Sequence, residues 1–312
     1  MIFDNIKAVA QLCLKGDFDA ADALIHPVER TLNKATTFRS ALMVSTHNLK
    51  HILKVPQLEA EAIMLNLEDG VSNEQKPTAL RLCAALLGAL PQSTKKLVVR
   101  VNALDEGGRE EIGYLNRFRP DAIRIPKIRT LKEVETALEL IDEPIELHLS
   151  IETKEAWLAM HELKHSHRVS TYYLGILDLF ADLKLPHRLI DIDNPTLRYM
   201  LSHFLVTCKA LHVKPVSFVF QDYHDRDSFK KWLSLENEMG FDAKGCLSPM
   251  QVKDVHDFFG INEHDIQKAK TIVTLFEAKQ REGISGFSHE TYGFIDEPIY
   301  KGALSILEQI GV

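Results

Sequence analysis

The chain is poor in cysteine. It also has no long apolar run, no excess of positive charge and no glycine-rich fingerprint, and each absence removes a class of function. Four cysteines occur in 312 residues: Cys13, Cys83, Cys208 and Cys246. No two form a CxxC pair, and no histidine cluster completes a zinc pattern. Isolated reduced thiols in a cytoplasmic protein are the expectation. The longest apolar run, LCAALLGAL at 82–90, is far too short to cross a bilayer. Asp4 and Lys7 come early and Lys15 cuts the run AVAQLCL, so the N-terminus lacks the pattern of a signal peptide. No membrane role is expected, and a cytoplasmic location follows by default. The formal net charge of −7 leaves no footprint for nucleic acid. No GxGxxG follows the first β-rich run, which argues against a dinucleotide-binding sheet.

What is present is an ordinary globular composition, 45% apolar and 26% charged, in a length that permits one large domain or two smaller ones. Residues 1–38 read as a helical extension packed on something larger. Phe3, Ile6, Val9, Ala10 and Cys13 share one face. Gly16 ends that helix, Asp17 can cap the next, and Pro27 interrupts the second helix or sits at its start.

From Ser40 onward, β-rich runs alternate with helical patterns. The runs are SALMVST (40–46), AIMLNLED (62–69), KLVVRVN (96–102), AIRIPK (122–127), IELHLSIE (145–152), STYYLGILD (170–178), VKPVSFVFQD (213–222) and AKGCLSP (243–249). Helices are predicted between them at 48–54, 74–89, 107–117, 130–141, 153–163, 195–210 and 225–238, with another near 250–258. Strict alternation predicts a parallel sheet, because parallel neighbours need a crossover connection. The Val/Ile/Leu-rich runs are those of strands buried on both faces. Eight such units fit an α/β fold of the (β/α)8 TIM barrel type over residues 39–260, with an open doubly wound sheet as the alternative. A helical stretch at 262–281, a glycine-containing loop at 283–298 and a last helix at 299–310 make a C-terminal segment, 261–312, suited to a lid or an oligomer contact.

Nearly every run ends on a functional side chain: Glu68–Asp69, Arg100 and Asn102, Lys127, Glu152, Asp178, Gln221–Asp222 and Ser248. Active sites of these barrels form at the C-terminal rim of the strands. Asp222 and Ser248 are read as helix caps. Glu152 and Asp178 end successive runs, which places both carboxylates at one rim if the runs are neighbouring strands. Two hard oxygen ligands there suit Mg²⁺, and the lack of a nearby histidine or cysteine disfavours zinc. The alternative is a pair of salt-bridging surface acids.

Arg100 can hold a substrate carboxylate bidentately and offset charge on a developing enolate, or it can pair with Glu68 or Asp69 inside the barrel mouth, and the two roles can coexist. Lys127 can serve anion binding. Glu68 and Asp69 can order water on a metal, orient Arg100 or act as a base. Asp296 is a further acid/base candidate if its loop closes over a site.

Several pieces, in order, resemble the citrate lyase beta-subunit-like family of the pyruvate/phosphoenolpyruvate-type barrels: FRSALMV (38–44), LNLEDGV with Lys76 and Arg81, VVRVN (98–102), DAIRIPK (121–127), SIET (150–153), LGILDLFADL (174–183), MGFDAKGCLSPMQV (239–252) and FIDEPIYKGAL (294–304). The resemblance runs from about Phe38 to Ile310. It implies a (β/α)8 barrel, commonly a homotrimer or hexamer, that makes or breaks carbon–carbon bonds in malyl-, citramalyl- or citryl-thioesters. It implies Mg²⁺ on Glu152 and Asp178, substrate on Arg100, and an acidic pair at Glu68–Asp69. It also implies that Asp296 reaches a neighbouring subunit's site. Two other roles stay open: a lyase-complex subunit working with an acyl carrier protein partner, for which the N-terminal helices are a docking element, and a metal-dependent aldolase for a free oxo acid. The chain departs from the family at Val44-Ser45-Thr46, Leu177, Lys184 and Leu247-Ser248-Pro249. These positions bear on substrate recognition rather than on the carboxylate pair.

Overall fold

The eight apolar runs form eight parallel strands in a computed structural model that describes residues 2–260 and 263–308. The strands are β1 (Ser40–Ser45), β2 (Ala62–Asn66), β3 (Lys96–Arg100), β4 (Ala122–Ile125), β5 (Glu146–Ile151), β6 (Val169–Leu174), β7 (Lys214–Val216) and β8 (Lys244–Cys246). Each pairs with its successor from β1 to β7, and β1 also pairs with β8. A single parallel bridge between Ser217 and Lys244 joins β7 to β8. The sheet is therefore a nearly closed (β/α)8 barrel, not an open doubly wound sheet.

Strand alternation sorts the side chains into two cores. Leu42, Ile63, Leu97, Ile123 and Leu147 point outward into the layer under the helices. Ala41, Ala62, Met64, Val98, Ala122 and Tyr173 fill the barrel interior. Successive residues of a strand face opposite sides, so ladder partners share a face. That register brings Arg100, Arg124 and His148 into one inward row across β3, β4 and β5.

The strands are shorter than the apolar runs. The run 170–178 splits at Gly175, and Asp178 lies in the first turn of a helix, Ile176–Asp182. Gly175 N–H donates to Ile151 O at 3.1 Å, the last bond of that ladder before the chain turns. The run 213–222 is strand only over Lys214–Val216, with Ser217 adding the isolated bridge to Lys244. Beyond the strand, Phe218 is buried edge-on to Trp232 and the half-buried Phe220 packs against Phe229. Ser248 caps the helix Pro249–Phe258, as expected. Asp222 instead forms a turn, accepting from His224 and Asp225 N–H, while Asp225 caps the next helix. The helix expected at 153–163 breaks at Ala159, whose backbone is not helical.

At the N-terminus, helices span Ile2–Leu14 and Phe18–Leu24, with Gly16 at a positive φ of 74° between them. Ile6, Val9 and Ala21 are fully buried and join the barrel's outer core. Asp22 ties this layer down by accepting from Arg81 and from the Tyr114 hydroxyl, each at 2.7 Å. Helix does not continue to residue 38. It stops before Pro27, and the groups that follow are committed to the closed end of the barrel. Arg30 Nε donates to Leu90 O, Asn33 N–H donates to Asp121, and Lys96 Nζ donates to Ala35 O.

The chain divides into two units, Met1–Phe259 and Gly260–Val312. The second holds helices Glu263–Arg281 and Glu297–Glu308 and a hairpin of β9 (Gly286–His289) and β10 (Gly293–Asp296). Half of the segment 283–298, expected as a loop, is thus antiparallel strand. Ile272, Phe276, Ile295 and Leu307 form this unit's core. The boundary expected at 261 and the helix end expected at 310 fall outside the described residues. Among those residues, no helix is long and apolar enough to cross a membrane. All four cysteines are buried and free.

Candidate active site

A cavity of about 310 Å³ opens where the strands end, and Asp69, Arg100, Arg124, Glu152, Gly175 and Asp178 line it. Each is placed by local chain geometry. Glu152 follows β5 and is 4% exposed. Its Oε1 accepts the Lys127 backbone N–H at 2.7 Å. Lys127 adopts a left-handed φ of 54° just after Pro126, and that turn presents its N–H to Glu152. On the other side the chain must be glycine. A methyl at Gly175 would lie 2.4 Å from Glu152 Oε2. Burial pushes the Glu152 carboxyl above the usual carboxylate range, and the Arg124 charge and the Lys127 bond offset this only in part. Asp178 is exposed on the same cavity wall.

These donors fit a hard cation. With no Cβ, Gly175 leaves the room that Glu152 Oε2 occupies beside it. Among the described residues, no group of three or more His, Cys, Asp or Glu side chains converges. Two carboxylates with the remaining positions left to water and substrate suit Mg²⁺ better than a closed zinc site.

A second cluster surrounds Arg100. Its Nε donates to Asn66 Oδ1 at 2.7 Å, its Nη1 lies 2.9 Å from Glu68 Oε2, and its Nη2 reaches the Asp69 carbonyl at 3.4 Å. Lys127 Nζ lies 2.9 Å from Glu68 Oε1 and 3.6 Å from Asp69 Oδ1. The ion pair foreseen as the alternative for Arg100 is therefore present, and Arg100 still lines the cavity. Burial alone would raise the Glu68 carboxyl, but the Arg100 charge, the Asp69 backbone and Lys127 outweigh it and hold it low. Partial desolvation and the adjacent Glu68 charge push Asp69 up. Its hydrogen bond to Glu68 raises the Lys127 ammonium.

Of the residues singled out from sequence, Asp69, Arg100, Glu152 and Asp178 meet at one cavity. Glu68 and Lys127 stand behind it as the pair that braces Arg100 and Glu152. Asp296 belongs to the second unit, where it ends β10 and its Oδ1 accepts from Ile299 N–H at 3.2 Å, as a helix cap does. Asn102, another strand-end residue, is structural and donates to Glu111 at 2.6 Å. Sequence reasoning missed Arg124. Its signal was a cation in the third position of AIRI, a buried strand otherwise apolar.

The chain belongs to the HpcH/HpaI aldolase/citrate lyase family, whose model matches residues 39–249. It is an enzyme of the lyase type that this family comprises. It is 27% identical to a (3S)-malyl-CoA thioesterase of Cereibacter sphaeroides over 252 residues, 80% of this chain and 87% of the relative. It is 24% identical to a citrate lyase subunit beta of Leuconostoc mesenteroides over 289 residues, 89% of this chain and 94% of the relative. Among solved structures it is similar to protein CitE from Mycobacterium tuberculosis in complex with magnesium, acetoacetate and coenzyme A. The TM-score is 0.70 and the identity 21%, over 89% of this chain and 100% of that one. That likeness speaks for the fold.

Proposed function

We propose that this chain is a Mg²⁺-dependent carbon–carbon lyase acting on a 3-hydroxy acyl thioester of the malyl, citramalyl or citryl class. The observation that carries the reading is the meeting of Glu152, Asp178 and Arg100 on one cavity. Glu152 and Asp178 would each give one carboxylate to the cation. Bound there, Mg²⁺ would supply a Lewis acid and a template for the carboxylate and adjacent oxygen of an oxo-acid half.

The chain's own residues do the rest. Lys127 N–H and the open face of Gly175 fix the Glu152 carboxylate. Arg100, locked by Asn66 and Glu68, turns a preorganised guanidinium edge toward charge that develops as the bond breaks. Asp69, with its carboxyl pushed up at the cavity edge, holds or releases a proton there. Asp296, contributed by a neighbouring subunit of a homotrimer or hexamer, moves a proton to or from the acetyl-type enolate.

The thioesterase relative, and the solved structure holding magnesium, acetoacetate and coenzyme A, support a thioester and a metal. The citrate lyase subunit beta relative supports a version in which the acyl group arrives on an acyl carrier protein within a lyase complex.

The test is cleavage of malyl-CoA and citramalyl-CoA with and without Mg²⁺, following acetyl-CoA and the released oxo acid. Metal-dependent cleavage that vanishes in the Glu152→Ala/Asp178→Ala double variant is expected. Normal turnover in that variant refutes the mechanism. Release of malate and free coenzyme A from malyl-CoA would show thioester hydrolysis in place of, or beside, carbon–carbon cleavage. Turnover of a free hydroxy-oxo acid, without any thioester reaction, would move the assignment to an aldolase.

A further inference from the structure

Arg124 is the buried charge at the cavity that the chemistry above leaves unused. It is 6% exposed and is the ladder partner of both Arg100 and His148. Its Nε donates to Ser150 Oγ at 2.9 Å, and its guanidinium lies over the Tyr173 ring, 4.2 Å from the centroid. Ser150 sits two residues before Glu152 on the same inward row of β5, so the Arg124 head lies one pleat step beneath the Glu152 carboxylate. The side chain is propped from below. The Tyr173 hydroxyl donates to His148 Nδ1 at 3.4 Å, His148 Nε2 lies 3.3 Å from Glu146, and Glu146 pairs with Lys96 at 2.7 Å.

Arg100, by contrast, has a carboxylate on it. Among the described residues no carboxylate forms an ion pair with Arg124, and its two Nη groups have no protein acceptor. Burial, and then the like charge of Arg100, push its guanidinium down to about 10. A buried cation with no carboxylate in ion-pair contact is costly: Glu152 and Glu68 attract Arg124 without forming an ion pair with it, and a direct partner would repay more of its desolvation. The cavity offers such a partner a place. Arg124 lines the active-site cavity and also a smaller one of about 20 Å³ that shares Met43, Leu174 and Val219 with it. A planar guanidinium that lines a cavity with both Nη groups lacking a protein acceptor is suited to bidentate binding of a carboxylate.

We propose that Arg124 is a specificity-determining residue that binds a second carboxylate on the oxo-acid half of the substrate, so the site prefers a 2-oxo acid carrying two carboxylates over one with a hydrogen or alkyl group. This rests on the metal reading above, and the experiment separates the two. Calorimetric titrations in saturating Mg²⁺ compare oxaloacetate with 2-oxobutyrate, in which a methyl replaces the second carboxylate. The wild type is expected to bind oxaloacetate about tenfold or more tightly than 2-oxobutyrate, the worth of one charge-assisted hydrogen-bond set. Arg124→Met should erase the preference while leaving 2-oxobutyrate affinity in place, and Arg124→Lys should restore part of it. A merely structural role for Arg124 would move both ligands together. Glu152→Gln should weaken both equally. If both acids bind in a Glu152-dependent way but the preference is absent or indifferent to Arg124, this inference alone is overturned. If neither binds in the presence of Mg²⁺, the metal reading falls and this inference falls with it.

Discussion

At the closed end of the barrel, Lys96 sits 2.7 Å from Glu146, and Arg30 lies 3.6 Å from Asp121 with both side chains fully buried. Where β7 meets β8, Lys244 and Glu236 are likewise fully buried at 2.6 Å, with Ser217 hydroxyl donating to the same carboxylate. At the open end, Glu152 and Arg124 are nearly as buried, yet neither has an ion-pair partner among the described residues. The difference separates structure from function. A charge neutralised inside the protein fixes register and closure, and a charge left open to a cavity is completed by what binds there. Arg100 stands between the two cases, braced by Glu68 on one side and facing the cavity on the other.

The largest effect that can break this comparison is on catalysis. Glu152→Gln is expected to lower lyase turnover on the order of 10³-fold, as loss of one preorganised electrostatic group does. Its stability should go the other way. Burial raises the Glu152 carboxyl, so the folded state holds that proton more tightly than the unfolded chain. Stability from this group is then lost as pH rises past the ordinary carboxylate range. The glutamine variant should melt at an equal or higher temperature at neutral pH, and a marked fall would show Glu152 to be structural.

Next in size is Lys244→Met, which strands Glu236 and should cost about 3–5 kcal/mol in a denaturant titration, whereas Arg124→Met should be neutral or stabilising. Equal losses in the two variants would erase the distinction between the ends of the barrel. A smaller effect is expected from Gly175→Ala, whose methyl would press on Glu152 Oε2. Mg²⁺ affinity, read by calorimetry, should drop about 10–100-fold, the range seen when support for a metal ligand is lost.

The smallest concerns His148. Burial holds its imidazole down to about 4 from an ordinary 6.5, despite Glu146 beside it. Between those values the unfolded chain binds a proton that the folded state refuses, so stability should fall as pH is lowered through this window, by about 1.4 kcal/mol per pH unit. His148→Gln should flatten that slope, and an unchanged slope would assign the acid sensitivity elsewhere.

The barrel was legible because eight buried parallel strands leave eight short runs, most of them rich in Val, Ile and Leu, with crossover-sized spacings. Glu152 and Arg100 were legible for a related reason, since a charged residue closing an apolar run marks the rim. Asp178 was found for the right neighbourhood but the wrong element. Periodicity does not show that Gly175 turns the chain, so a helix-borne acid looked like a strand end. Arg124 left only one mark in the sequence, a cation inside an apolar strand, because its placement lies in register. Only the β3–β4–β5 ladder shows that it faces inward beneath Glu152 while its neighbour Arg100 takes the available carboxylate. The extended path of residues 25–38 was hidden for a similar reason, since its hydrogen-bond partners, from Leu90 to Asp121, lie far away in the chain.

Glu152 and Asp178 are proposed to bind one divalent cation together at the barrel mouth. Anomalous diffraction from a crystal soaked with Mn²⁺ in place of Mg²⁺ tests it most directly. One strong peak bonded to both carboxylates, and absent in Glu152→Gln, is the expected result. A cavity with no peak, or a peak held by other residues while both carboxylates stand clear, would contradict it.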